Sequence, residues 1–205
     1  MRTVANVLSV VLHPLWMPTL LILLCFRIDP FLSYGFATNG LLIVYGMVFC
    51  MTAVFPLSSA FLMHRTGMVS DITMPLRQER IPAYFTTLLY YGMCYYLLRR
   101  TGMQSLMLGI FFGACLALLL VLLITVRWKI SAHMVGIGGL VGAVLATTVA
   151  DGTRTPILLA LLFVVAGALG TARLVATDHT SAQVYAGALL GCGCVFMCGA
   201  NMIVI

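Results

Sequence analysis

Charge is what this sequence most lacks: only 8% of its 205 residues are Asp, Glu, Lys or Arg. A soluble domain carries about 25%, so this chain cannot build a water-facing surface. Soluble enzymes and nucleic-acid-binding modules are thereby excluded. Acidic residues are scarcest, five against eleven Lys and Arg, for a formal charge of +6. Paired Cys-x-x-Cys motifs are missing as well. Cys25, Cys50, Cys94, Cys115, Cys192, Cys194 and Cys198 all fall in apolar stretches with no neighbouring histidine. That pattern excludes a disulfide scaffold and reads as small apolar packing residues. Linkers, low-complexity tracts and internal repeats are absent too, so 1–205 reads as a single transmembrane domain. No second aspartate motif exists of the kind that metal-dependent prenyl or alcohol-phosphate transferases need.

What is present in excess is apolar sequence, at 62% hydrophobic residues and a mean hydropathy of +1.12. A membrane span takes about 20 such residues. Seven candidate spans follow, at about 4–26, 39–63, 82–98, 103–126, 132–150, 154–172 and 181–205. The third is the weakest, with five tyrosines in a short stretch closed by Arg99 and Arg100. The apolar run after Arg2 reaches Phe26 without a small-residue cleavage site, which predicts a retained first span. The expected fold class is therefore all-α, a polytopic membrane helical bundle of six or seven transmembrane helices. Gly138 and Gly142 are four apart in the fifth span, as are Gly187 and Gly191 in the seventh. Small residues at that interval let helix backbones approach closely in lipid.

Seven crossings sort the charges by side. Arg2, Arg65, Arg77, Arg80, Arg127, Lys129 and Arg173 gather on one side with His64, His133 and His179. Charge beside hydrocarbon is costly and needs a reason. Arg2, Arg65, Arg99, Arg100 and Arg127 read as helix-end anchors. Arg77 and Arg80, three apart, would share a helix face, as would Lys129 and His133, and His179 and Gln183, each four apart. Guanidinium groups near histidines suit a phosphate, which arginine grips bidentately and histidine can attack or protonate. His13-Pro14 lies inside the first span. It reads either as a kink whose histidine is satisfied by a neighbour or as a contact to a lipid headgroup. The tyrosines Tyr84, Tyr90, Tyr91, Tyr95 and Tyr96 read as interface and packing residues.

Three segments, in order, carry a resemblance. Arg173, five residues, His179, three residues and Gln183 resembles the third signature of the type 2 phosphatidic acid phosphatase superfamily, Ser-Arg-x5-His-x3-Asp. Ile130-Ser131-Ala132-His133 resembles the second, Pro-Ser-Gly-His, and Arg77-Gln78-Glu79-Arg80-Ile81-Pro82 the first, Lys-x6-Arg-Pro. The resemblance covers a phosphatase-like core of about 77–191. It implies metal-independent, cofactor-free dephosphorylation of a membrane lipid phosphate or diphosphate through a phosphohistidine. On that analogy His179 attacks phosphorus and His133 protonates the leaving oxygen. Arg80 and Arg173 hold the phosphate, with backbone N–H groups near Ser131 assisting. Arg77, Lys129 and Ser131 complete the expected phosphate-binding set.

The departures are specific. The signature lysine falls on Thr73, the serine before the signature arginine is Ala172, and the aspartate that orients the nucleophile is Gln183. Arg77 or Lys129 stands in for the lysine's charge, and Asp71 or Glu79 is a candidate replacement carboxylate. Expected partners are a lipid phosphate and the bilayer, without nucleic acid, and the expected location is a bacterial inner (cell) membrane. The alternatives are a non-hydrolytic homologue that binds or transports a phospholipid, and a structural membrane subunit.

Overall fold

A computed structural model describes residues 2–152, 154–176 and 179–202. Among them the ordered elements are all helical: α1 (Arg2–Val11), α2 (Met17–Ile28), α3 (Thr38–Phe49), α4 (Phe55–Arg65), α5 (Arg77–Arg100), α6 (Ser105–Thr125), α7 (Ala132–Asp151), α8 (Pro156–Ala176) and α9 (Ser181–Met202). Both of the first two crossings are interrupted by proline. Pro14 lacks an N–H and its ring crowds the preceding turn, so α1 gives way to a 3₁₀ turn, Pro14–Trp16, before α2 begins. Ahead of Pro56 the backbone widens into a π turn, Cys50–Val54, that joins α3 to α4.

Six helical segments are long and apolar enough to cross a membrane: Arg2–Ile28, Thr38–Arg65, Ser105–Thr125, Ala132–Ala150, Pro156–Ala176 and Ser181–Asn201. The protein is an integral membrane protein. The seventh helix, α5, falls outside that set; its tyrosines and its charged ends dilute the hydropathy. Large apolar side chains face outward, with Leu42, Ile43, Ile157, Val164 and Leu189 each more than 60% exposed. In lipid such a surface is the satisfied one.

The core is the pair α7 and α9, which run parallel and touch backbone to backbone. A Cβ on Gly138 would strike the Ala188 carbonyl, and one on Gly191 the Val135 carbonyl. At Gly142 it would lie 2.5 Å from the Cys192 oxygen, and at Gly187 2.8 Å from that of Ser131. These are the four glycines whose spacing predicted a close helix contact. Gly191→Ala is expected to cost about 3 kcal/mol or more, above the usual overpacking range because a backbone carbonyl cannot step aside. Gly193, one residue from the seam, has nothing within 4 Å. Gly193→Ala should be neutral or stabilising, by up to about 1 kcal/mol from helix propensity. Thermal melts in detergent compare the two; equal melting would refute the seam.

Parallel packing has a consequence for chemistry. It sets the N-termini of α7 and α9 side by side at one membrane face. The Ser131 N–H donates to the Gln183 carbonyl at 3.4 Å, tying the two helix starts together.

Candidate functional site

Thr180 and Gln183 close the start of α9 reciprocally. The Gln183 N–H donates to Thr180 Oγ1 at 3.4 Å, and the Thr180 N–H donates to Gln183 Oε1 at 3.2 Å. This is a capping box, the Thr-x-x-Gln form in which two orphan donors of the first turn are satisfied together. The same Oε1 lies 2.9 Å from Nδ1 of His179. Because Oε1 already accepts from a backbone N–H, it is the amide oxygen, and Nδ1 of His179 must donate to it. The Nε2 lone pair of His179 is thereby left available. His179 is 7% exposed. Burial holds its imidazole down to about 4 against the hydrogen bond to Gln183, and the charges of Arg173, Arg80 and Lys129 push the same way as burial. A neutral imidazole is the nucleophilic form.

The second histidine is oriented by the first crossing. His133, one residue into α7, meets the backbone carbonyl of Ser9 through Nε2 at 3.0 Å. A carbonyl only accepts, so Nε2 carries the proton. The Ser9 hydroxyl accepts from Arg173 Nη1 at 3.2 Å. A single residue of α1 thus braces the histidine of one signature and the arginine of another. Arg80, in the first turn of α5, donates from Nε to the Met74 carbonyl at 2.9 Å. Met74 adopts φ +47°, a left-handed conformation that costs a non-glycine residue about 1 kcal/mol or more. Tyr84, one turn beyond Arg80, interacts with both Arg80 and Arg173.

Arg80, Tyr84, His133, Arg173 and His179 share one cavity of about 270 Å³. His13, Arg80, Tyr84, His133, Arg173 and His179 line its polar end, and Leu21, Pro56, Ala60, Leu118, Val121 and Val195 its apolar wall. Val195 is fourteen residues beyond the start of α9, so at 1.5 Å per residue the cavity reaches roughly 20 Å into the bundle. An anionic head with a long apolar tail matches this lining.

Of the residues expected from sequence, His133, His179, Arg80 and Arg173 meet on the cavity wall, although they come from four separate segments. Gln183 stands directly behind His179, and Lys129 is near enough for its charge to act on that histidine. Arg77 and Ser131 are not on the wall. Arg77 opens α5; Ser131 is fully buried at the start of α7, its hydroxyl without a hydrogen-bond partner among the described residues. Thr73, in the position of the signature lysine, does line the cavity. The expected substitute carboxylates are engaged in their own loop: Asp71 accepts from the Thr73 N–H at 2.7 Å and Glu79 from the Ser70 N–H at 2.8 Å. Asp178 lies outside the described residues.

Two residues of the site escaped the sequence reading, Tyr84 on the cavity wall and Ser9, which holds His133 and Arg173; His13, read as a kink or a headgroup contact, also lines the wall. Ser9 carries no signal in an apolar run. His13-Pro14 did signal a break, and Tyr84 was hidden among other tyrosines. In comparisons with known proteins, no family model, curated protein or solved structure matches the chain.

Proposed function

We propose that this protein is a metal-independent lipid-phosphate phosphatase working through a phosphohistidine. One observation carries the reading: two histidines and two arginines share the polar end of a cavity whose deeper wall is apolar. A lipid phosphate would place its headgroup between Arg80 and Arg173 and its chain toward Val121 and Val195. Nε2 of His179 forms the N–P bond while the phosphorus–oxygen bond to the lipid breaks. His133, whose Nε2 proton stays hydrogen-bonded to the Ser9 carbonyl, enters the cycle as the imidazolium and delivers its Nδ1 proton to the departing lipid oxygen. In the second half, His133 takes a proton from water, whose oxygen attacks phosphorus. The P–N bond then breaks and inorganic phosphate leaves. Throughout, Gln183 keeps the Nδ1 proton of His179 in place, and the guanidinium groups offset charge on the equatorial oxygens.

The location we infer is a bacterial inner membrane. A specific observation favours the runner-up, a homologue that binds or moves a phospholipid without cleaving it. The partner of His179 is an uncharged amide. In the serine-protease triad, replacing the orienting aspartate by its amide costs about 10⁴ in rate. Purified protein incubated with phosphatidate or a polyprenyl diphosphate should release inorganic phosphate, undiminished by a chelator. Selective binding of these lipids without release would establish the runner-up. Activity that disappears with chelator and returns with a divalent metal would overturn the mechanism.

A further inference from the structure

His13 has no counterpart in the three resembled signatures, yet it stands on the wall of the cavity beside His133. The two rings meet edge to face, 5.3 Å between centroids and 79° between planes. His13 is the N-cap of the 3₁₀ turn Pro14–Trp16: its Nδ1 accepts from the Leu15 N–H at 3.3 Å. That bond assigns the tautomer. With Nδ1 accepting, the proton of the neutral ring sits on Nε2. The neighbouring His133 offers no acceptor through Nε2, whose proton goes to Ser9. Capping alone does not account for histidine here, since Ser, Thr, Asn or Asp would cap better. An imidazole inside a membrane span is costly without a polar role. What histidine adds over those residues is a second nitrogen, held at a fixed distance from the first by a rigid ring.

We propose that His13 Nε2–H donates a hydrogen bond to the anionic headgroup, so that the break in the first crossing supplies a further binding residue of the site. This role rests on the headgroup site proposed above. The break at Pro14 is what makes it available. A continuous helix would keep position 13 on the cylinder of the first crossing, whereas here the ring meets that of His133 at the start of α7 and lines the cavity.

The two nitrogens separate by mutation. His13→Asn places an amide near the Nδ1 position, keeping the cap and removing the distal donor. His13→Gln places its amide nitrogen near the Nε2 position, keeping the donor and removing the cap. Binding of dioleoyl phosphatidate, relative to dioleoylglycerol, is measured on purified protein in detergent micelles. Wild type should prefer the phosphate-bearing lipid. His13→Asn should lower that preference about tenfold, the usual effect of one hydrogen bond to a charged group, while His13→Gln stays within about threefold of wild type. An Asn variant with wild-type preference, or a Gln variant that loses it as completely as Asn, would overturn the role of His13. If His13→Asn does not fold, His13→Leu, which like His13→Gln removes the cap but also removes the donor, is compared with His13→Gln: a preference about tenfold lower in the leucine variant supports the role, and equal preference overturns it. Wild-type protein that binds both lipids alike would overturn the headgroup reading and this role with it; a wild-type preference unaffected by His13→Asn sinks only the latter.

Discussion

Replacing His179 by alanine should abolish phosphate release, by a factor of at least about 10⁴, while leaving the protein folded and able to bind lipid phosphate. The magnitude follows from the type of role. A nucleophile that forms a covalent intermediate cannot be bypassed by the remaining site, and losses on the order of 10⁶ are known for such residues. His133→Ala is a milder lesion in one respect. A lipid analogue with a very good leaving group needs no proton, so that variant should still form the phosphoenzyme. An independent readout comes from stability. An unfolded histidine takes up its proton near 6.5, whereas buried His179 does so only near 4. Between those values the unfolded chain binds more protons than the folded one, and stability falls as pH drops through the window. His179→Ala should flatten that part of the pH–stability curve. Turnover by His179→Ala at wild-type rates would remove the phosphohistidine from the mechanism altogether.

Gln183→Glu should raise the rate of phosphate release by one to several powers of ten. The structure selects glutamate over the aspartate of the signature. Gln183 Oε1 serves both His179 Nδ1 and the Thr180 N–H, and glutamate reproduces that reach while adding a full charge. Glutamate is also the usual third residue of a capping box, and a carboxylate in the first turn of a helix is favoured by the macrodipole. The carboxylate would stabilise the imidazolium character that develops as His179 bonds to phosphorus. Each 1.36 kcal/mol gained there is worth tenfold. The opposing term is desolvation: Gln183 is 9% exposed, and a buried carboxylate is destabilising unless paired. Here His179 and a backbone N–H are its partners. The measurement is phosphate release by wild type and variant at equal folded fraction. A folded, lipid-binding Gln183→Glu protein with no gain would show that the amide is not what limits the chemistry. The binding or transport reading would then take precedence.

How far residue order alone carries the argument differs between fold and site. Helix existence was legible because hydrocarbon permits few backbone arrangements: every peptide group must be satisfied within its own segment, so long apolar runs become helices. The close approach of α7 and α9 was legible for a related reason. Glycine every fourth residue in two helices has no purpose except to admit a neighbouring backbone, and each of those glycines meets a carbonyl of the other helix. The weak third span was also visible, its tyrosines marking α5 as the least apolar helix. Arg80, Arg173, His133 and His179, placed on one side by the sequence reading, do meet on one cavity wall.

What residue order could not decide is which of those charges reach the cavity and what holds them there. Arg77 and Arg80 differ by three positions, yet only Arg80 lines the wall, anchored by the carbonyl of a left-handed Met74. Ser9 braces His133 and Arg173 from 124 and 164 positions away. No local pattern encodes such partnerships, because they arise only when α1 lies against α8 and the start of α7. Gln183 illustrates both levels at once. By its spacing it falls where the resembled signature has an aspartate; by its contacts it is half of a helix cap whose one oxygen also orients a histidine. The sequence by itself determined the helices and the glycine seam, since those depend on solvent and on local sterics. The tertiary structure alone decided the membership of the site, since hydrogen bonds between distant segments depend on where packing brings them to rest.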